Sequence, residues 1–223
     1  GTEFKNTREA DLTLDLGERI YNLLKNDDKI EAFITRDRNG YRSEFANFFV
    51  TEKENIVKFR SDNQELMNQL VETGEVRLIE GVAHNFANNE VGTRLTGINY
   101  WANKNDIDIM ISIHFNDYGG RKWNKEGKYS GYAIYVPEKQ YSNAKASRKI
   151  AEHISENLSI FLAMSDLPKE GGGVVEDQEL IATGSNNSLD PASLLIEYGY
   201  IYENQYIDSN TRPATMDELA YLT

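Results

Sequence analysis

Two apolar runs in this chain each end in a side chain that can handle a metal ion or a proton: Ile107-Asp108-Ile109-Met110-Ile111-Ser112-Ile113-His114 and Ala192-Ser193-Leu194-Leu195-Ile196-Glu197. Such runs read as strands of a parallel sheet buried on both faces, and in open α/β sheets the ligand site lies beyond the carboxyl ends of the strands. His114 and Glu197 therefore fall where chemistry is expected. A neutral imidazole is a good zinc ligand, and a carboxylate beside a zinc-bound water can take its proton, so the pair points to a zinc hydrolase. Burying Glu197 at the end of an apolar run is costly without a partner, which is a second reason to give it a role.

The elements that must position these two residues follow from the apolar spacing. Leu12, Leu16, Ile20, Leu23 and Leu24 recur at helical intervals, and Asn6 followed three residues later by Glu9 resembles a capping box, so a helix is predicted from about residue 7 to 25. Ile30 to Thr35 then reads as a strand. The segment between Arg38 and Thr93 is polar and mostly helical, with Ile56, Phe59, Leu66 and Leu70 loosely on one face, and it reads as an insertion. A helix over about 93–103 leads into the His114 strand. The Lys-bearing loop Arg121 to Tyr129 follows, then a strand over Gly131–Val136 and a helix within 142–161. Gly171-Gly172-Gly173 marks a flexible loop. Pro213 starts a terminal helix docked through Met216, Leu219 and Ala220.

Composition narrows the classes. The 223-residue chain is 39% apolar, 27% charged and 11% aromatic, a globular balance read as a single domain over 1–223 with the insertion at about 38–93. No run approaches the roughly 20 apolar residues of a membrane span. A net charge of −12 argues against a nucleic-acid binder, since such proteins gain affinity from clustered Lys and Arg. The absence of cysteine removes disulfides and thiolate zinc ligands.

Longer strings now carry a family resemblance. Asp108 to Asn116, preceded by Ala102-Asn103, resembles the segment that supplies a zinc histidine in the zinc-dependent N-acetylmuramoyl-L-alanine amidases of bacterial cell-wall turnover. Thr7-Arg8-Glu9-Ala10-Asp11-Leu12-Thr13-Leu14 is similar to the start of that family's first helix, with its glutamate ligand. Thr35-Arg36-Asp37 resembles the end of its second strand, and Pro191 to Ile201 the strand with its catalytic glutamate. The resemblance implies an α/β fold, a twisted and largely parallel sheet with helices on both faces. It also implies one Zn2+ held by Glu9 and His114, with Glu197 as general base. The substrate would be the peptidoglycan amide joining N-acetylmuramic acid to L-alanine, which places the protein in the periplasm, the cell wall or the medium.

The family's first zinc ligand is a histidine in a Gly-His-Gly loop after its first strand. No histidine precedes Glu9 here, and Gly1 falls where that loop should end, so the resemblance places the strand and the third ligand upstream of Gly1. The insertion departs from the family's simpler members and reads as a lid or as the surface for a regulatory partner. Asn116 is a candidate to orient substrate, or else a turn cap. His84 reads as part of a solvated loop, with a substitute third zinc ligand as the lesser alternative, His153 as surface, and Arg36 and Arg94 as anchors of the fold. The same His and Glu would serve another zinc peptidase or deacetylase, and a wall-binding or regulatory module could keep the fold without catalysis.

Overall fold

The computed structural model describes all residues except 85–86 and 187–189. A short hairpin pairs β1 (Glu3–Phe4) antiparallel with β2 (Thr7–Arg8) and runs directly into α1 (Glu9–Leu24). Helix α1 thus begins two residues later than the spacing predicts, because Thr7 and Arg8 are committed to the hairpin. The Asn6–Glu9 capping box does not form. Arg8 occupies the cap position without a side-chain cap, and the Glu9 backbone N–H donates to the Thr2 carbonyl at 3.0 Å. Leu12, Leu16 and Ile20 are the buried stripe of α1, as the apolar spacing requires.

Residues 30–35 form no strand. A strand exists only where a neighbour completes its hydrogen bonds, and here the chain closes on itself instead through β3 (Arg36–Asp37) and β4 (Gly40–Tyr41). Next come α2 (Ser43–Thr51) and α3 (Lys53–Glu72), both packed on α4 (Asn89–Lys104). Helix α4 starts four residues ahead of the predicted Thr93 because Asn88 caps it, its side chain accepting from the Val91 N–H at 2.9 Å. Between α1 and α4 lies an aromatic cluster in which Trp101 meets Phe33 and Phe45.

The main sheet contains β5 (Ile109–Asn116), β6 (Ala133–Pro137), β7 (Val174–Asp177) and β8 (Ala192–Tyr200) in the order β5-β8-β6-β7. The β5–β8 and β6–β7 pairs are parallel and the β6–β8 pair antiparallel, so the sheet is mixed and mostly parallel. Alternation along the strands separates two faces. Leu194, Ile196 and Tyr198 of β8, with Ile134 and Val136 of β6, pack into one apolar core. Joining them are α1, α5 (Ala144–Leu158) and, after the short α6 (Asn204–Ile207), α7 (Arg212–Leu222), the last through Met216, Leu219 and Ala220. On the opposite face Ala133, Tyr135 and Leu195 meet Val82, Leu167 and Leu180.

Strand β8 continues past Glu197 to Tyr200, farther than the sequence pattern indicates. The register shifts between His114 and Asn116, and Gly199 takes φ +144° at that irregularity. A Cβ there would come within 3.0 Å of the Tyr206 hydroxyl and 2.9 Å of Glu203 Oε1, so only glycine fits.

The α1–sheet contact is the joint on which this arrangement depends, and Leu16 is fully buried in it. Leu16→Ala is expected to cost about 2–5 kcal/mol in urea unfolding. Val50→Ala, at a side chain 77% exposed, should stay within about 0.5 kcal/mol.

Candidate active site

Parallel pairing sets His114 of β5 opposite Glu197 of β8. Register partners project to the same face, and here that is the face opposite the helix-packed core, since the next residues, Phe115 and Tyr198, belong to that core. Glu9 reaches the same place from the first turn of α1, where unpaired N–H groups and the helix dipole favour a carboxylate. His114 Nδ1 lies 3.1 Å from Glu9 Oε1, and the Thr2 N–H donates to Glu9 Oε2 at 3.0 Å. The Glu9 side chain is only 15% exposed, whereas His114 keeps 39% of its side-chain surface open to the cavity. A ligand or ion can therefore reach the imidazole without displacing the core.

The cavity has a volume of about 2560 Å³, and Glu9, His114, Asn116, Tyr135, Glu170 and Glu197 share its wall. Residues 30–35 and the outer edge of β5 line another part of it.

Charge explains the titration behaviour. Burial opposes ionisation of Glu9, but the hydrogen bond and charge of His114 and the Thr2 N–H outweigh it, and the carboxyl sits below the usual carboxylate range. Removal from water likewise disfavours the His114 imidazolium, yet its bond to Glu9 and the charges of Glu197 and Glu9 hold its pKa above the ordinary value. Glu197 goes the other way. Burial pushes it up to about 8; His114 opposes that rise, while the charges of Glu9 and Glu170 add to it. Its Oε2 is enclosed and has no hydrogen-bond partner among the described residues.

Asn116, two residues beyond His114, lines the same cavity, and its Oδ1 accepts from the Asp117 N–H at 2.8 Å. The remaining residues singled out in the sequence lie elsewhere. His153 is a surface residue, 69% exposed. Arg36 ties β3 to α1, donating to the Ala10 carbonyl at 2.7 Å, and Arg94 pairs with Glu90 on α4 and covers the Tyr41 ring. His84 departs from the reading as a solvated loop residue. Its Nε2 is 3.2 Å from Oδ2 of the buried Asp177, and its ring meets Tyr135 edge-on at 5.1 Å. Burial of Asp177 supplies the reason, because an enclosed carboxylate draws in the nearest polar hydrogen. Among the described residues no set of three or more His, Asp or Glu side chains is placed to hold a metal ion.

Two site residues had no signal in the sequence. Glu170 ends a 3-10 turn (Pro168–Glu170) just before the glycine run and is 1% exposed. Tyr135, on β6, donates its hydroxyl to Glu170 Oε1. Strand alternation places Tyr135 on the Leu195 face once the β6–β8 pairing is known, but nothing local marks Glu170.

Comparison with known proteins bears on the fold and the family. No curated protein matches the chain. Among solved structures it is similar to the CwlD amidase of Clostridioides difficile, in complex with the GerS lipoprotein (TM-score 0.62, 15% identity, 100% of this chain and 86% of that one). It is also similar to the N-acetylmuramoyl-L-alanine amidase of Clostridium difficile 630 (TM-score 0.59, 17% identity, 100% and 84%). At such identities the likeness is one of fold. The sequence model of the N-acetylmuramoyl-L-alanine amidases matches residues 1–221, so the chain belongs to that family, which hydrolyses the amide between N-acetylmuramic acid and L-alanine in peptidoglycan.

Proposed function

We propose that this amidase is zinc-dependent, with Glu9 and His114 as two of the protein ligands and Glu197 as the general base. The observation that carries the reading is the meeting of Glu9, His114 and Glu197 at one cavity wall, with His114 opposite Glu197 in the β5–β8 register. One imidazole stands among three carboxylates, counting Glu170, and such a cluster is short of positive charge. A divalent cation corrects that imbalance, and one nitrogen and one carboxylate oxygen are donors zinc accepts.

When bound, zinc supplies Lewis acidity toward the amide carbonyl and lowers the pKa of its water from about 15.7 towards about 7. The remaining work belongs to the chain. The Glu197 carboxylate takes the proton of the attacking water and delivers it to the nitrogen as the C–N bond breaks, so the amine leaves neutral. Glu9, fixed by the Thr2 N–H, holds the orientation of the His114 ring. The wall that these residues share leaves room for both the glycan and the peptide side of the scissile bond.

Residues 38–93 are proposed as an insertion that gates this groove and offers a surface to a regulatory partner. Two observations support this. Its later residues are bonded to the end of β7 and the residue after it, through His84–Asp177 and through the Ile79 N–H to Gln178 Oε1 at 2.9 Å, and His84 itself lines the cavity. The similar CwlD amidase was solved with a lipoprotein bound. Among the described residues no helix is long and apolar enough to cross a membrane, and the substrate supports a place in the periplasm, the wall or the medium.

Glu197→Gln is expected to retain zinc while hydrolysis of muropeptides falls by on the order of 10²–10⁴-fold, the usual worth of acid–base catalysis. Glu9→Gln should lose metal first, read by metal analysis after dialysis, with partial rescue by excess zinc. If Glu197→Gln loses its metal instead, Glu197 is a ligand. Replacing residues 38–93 with a short Gly-Ser bridge should raise turnover of soluble muropeptides; loss of activity in a folded protein would show that the segment builds the substrate site.

A further inference from the structure

We propose that Glu170 is a positioning residue for substrate, acting by holding the Asn116 amide so that one N–H points at a neutral carbonyl of the bound muramyl peptide. The proposal rests on the reading of this cavity as the peptidoglycan site. Glu170 is 1% exposed, and all three of its partners are neutral donors. Its Oε1 accepts from the Tyr135 hydroxyl and from Asn116 Nδ2 at 3.4 Å, and its Oε2 from the Ser165 hydroxyl. Burying a carboxylate without an ion pair is unfavourable, so the core alone gives no reason for it. A carboxylate can, however, accept from three donors at once, and here those donors come from three separate parts of the chain: β5, β6 and the loop before the 3-10 turn.

The consequence lies at Asn116. Its Oδ1 is engaged by the Asp117 N–H and one Nδ2 hydrogen by Glu170, which locks the side chain at both ends. An amide nitrogen carries two hydrogens, and the second remains for a ligand in the cavity that Asn116 lines. The partner chemistry follows from charge. Glu9, Glu170 and Glu197 line the same cavity as Asn116, and the charge of neighbouring Asp117 is already engaged by Arg121, so these carboxyl groups disfavour an anionic carboxylate of the substrate, whereas a neutral amide oxygen accepts the N–H. The group recognised is therefore a peptide or acetamido carbonyl.

The test measures binding of N-acetylmuramoyl-L-alanyl-D-isoglutamine to the zinc-free full chain by calorimetry, with zinc uptake and thermal midpoint read in parallel. Loss of one such hydrogen bond is expected to weaken binding roughly 10-fold in Glu170→Met and again in Asn116→Ala. Because both act through one contact, the double variant should also lose roughly 10-fold rather than the product of the two. Glu170→Gln keeps an acceptor for Asn116 and should bind within about 2-fold of the parent. Zinc uptake should be unchanged throughout. A double variant showing the full product, or a folded Glu170→Met with unchanged affinity, overturns the proposal. Should Glu170→Met fail to fold, Glu170→Asp, which draws the carboxylate back from Asn116, is read by the same criteria. A chain that binds the ligand with this coupling but takes up no zinc overturns the metal assignment alone, and a chain that takes up zinc but does not bind the ligand overturns the present proposal and leaves the metal assignment standing.

Discussion

The parallel register of β5 on β8 is the constraint from which the site follows. It sets His114 opposite Glu197 and, because side chains alternate, sends both away from the helix-packed core while Phe115 and Tyr198 enter it. A slip of one residue would bury the imidazole and the carboxylate among Leu194, Ile196 and the stripe of α1, and would turn Phe115 into the cavity. Apolar patterning of the two strands thus fixes where the chemistry sits, even though none of those apolar residues takes part in it. Gly199 adds a local condition, since the irregularity that carries Asn116 past His114 tolerates no Cβ.

Around that register the structure gathers carboxyl groups that outnumber the single imidazole among them. Glu9 arrives on a helix N-terminus and is favoured there; Glu197 arrives on a buried strand and is not, which is why the two carboxyls move in opposite directions from their ordinary values. Two like groups driven apart by their surroundings is the pattern expected where one holds a cation and the other handles a proton. Glu170 accentuates the division, because its charge adds to the rise of Glu197 while its own oxygens are occupied by hydroxyl and amide donors.

The sequence revealed those parts of the molecule whose pattern is local. The buried stripe of α1, the two strands that carry His114 and Glu197 and the docking face of α7 follow from spacing, although β5 lies at the sheet edge and is only partly buried and β8 runs on past Glu197; the family strings around Glu9, His114 and Glu197 carry the likeness. Failures occur where the outcome depends on a distant partner. Ile30 to Thr35 has strand composition but no hydrogen-bonded neighbour, and composition cannot report that. The Asn6–Glu9 pair fits a capping box, yet the hairpin with residues 3–4 takes the backbone away from the cap geometry. Polar neighbours made His84 look solvated, and only the fold brings Asp177, 93 positions along the chain, against it.

Glu170 shows the same limit at the site itself. It lies in a short turn without periodicity, beside glycines that read as flexible, and its burial is decided by β6 and β7, which bring Tyr135 over it. What the turn lacks in pattern it supplies in geometry: a 3-10 segment with proline at its start fixes the backbone that carries the carboxylate, and Ser165 is spaced to close on the second oxygen. Local rigidity in a region that reads as a flexible loop is therefore built from the turn inward. Glu9 on a helix end, His114 and Glu197 on strands and Glu170 on a constrained turn thus meet at one cavity wall from elements that are each held by their own contacts.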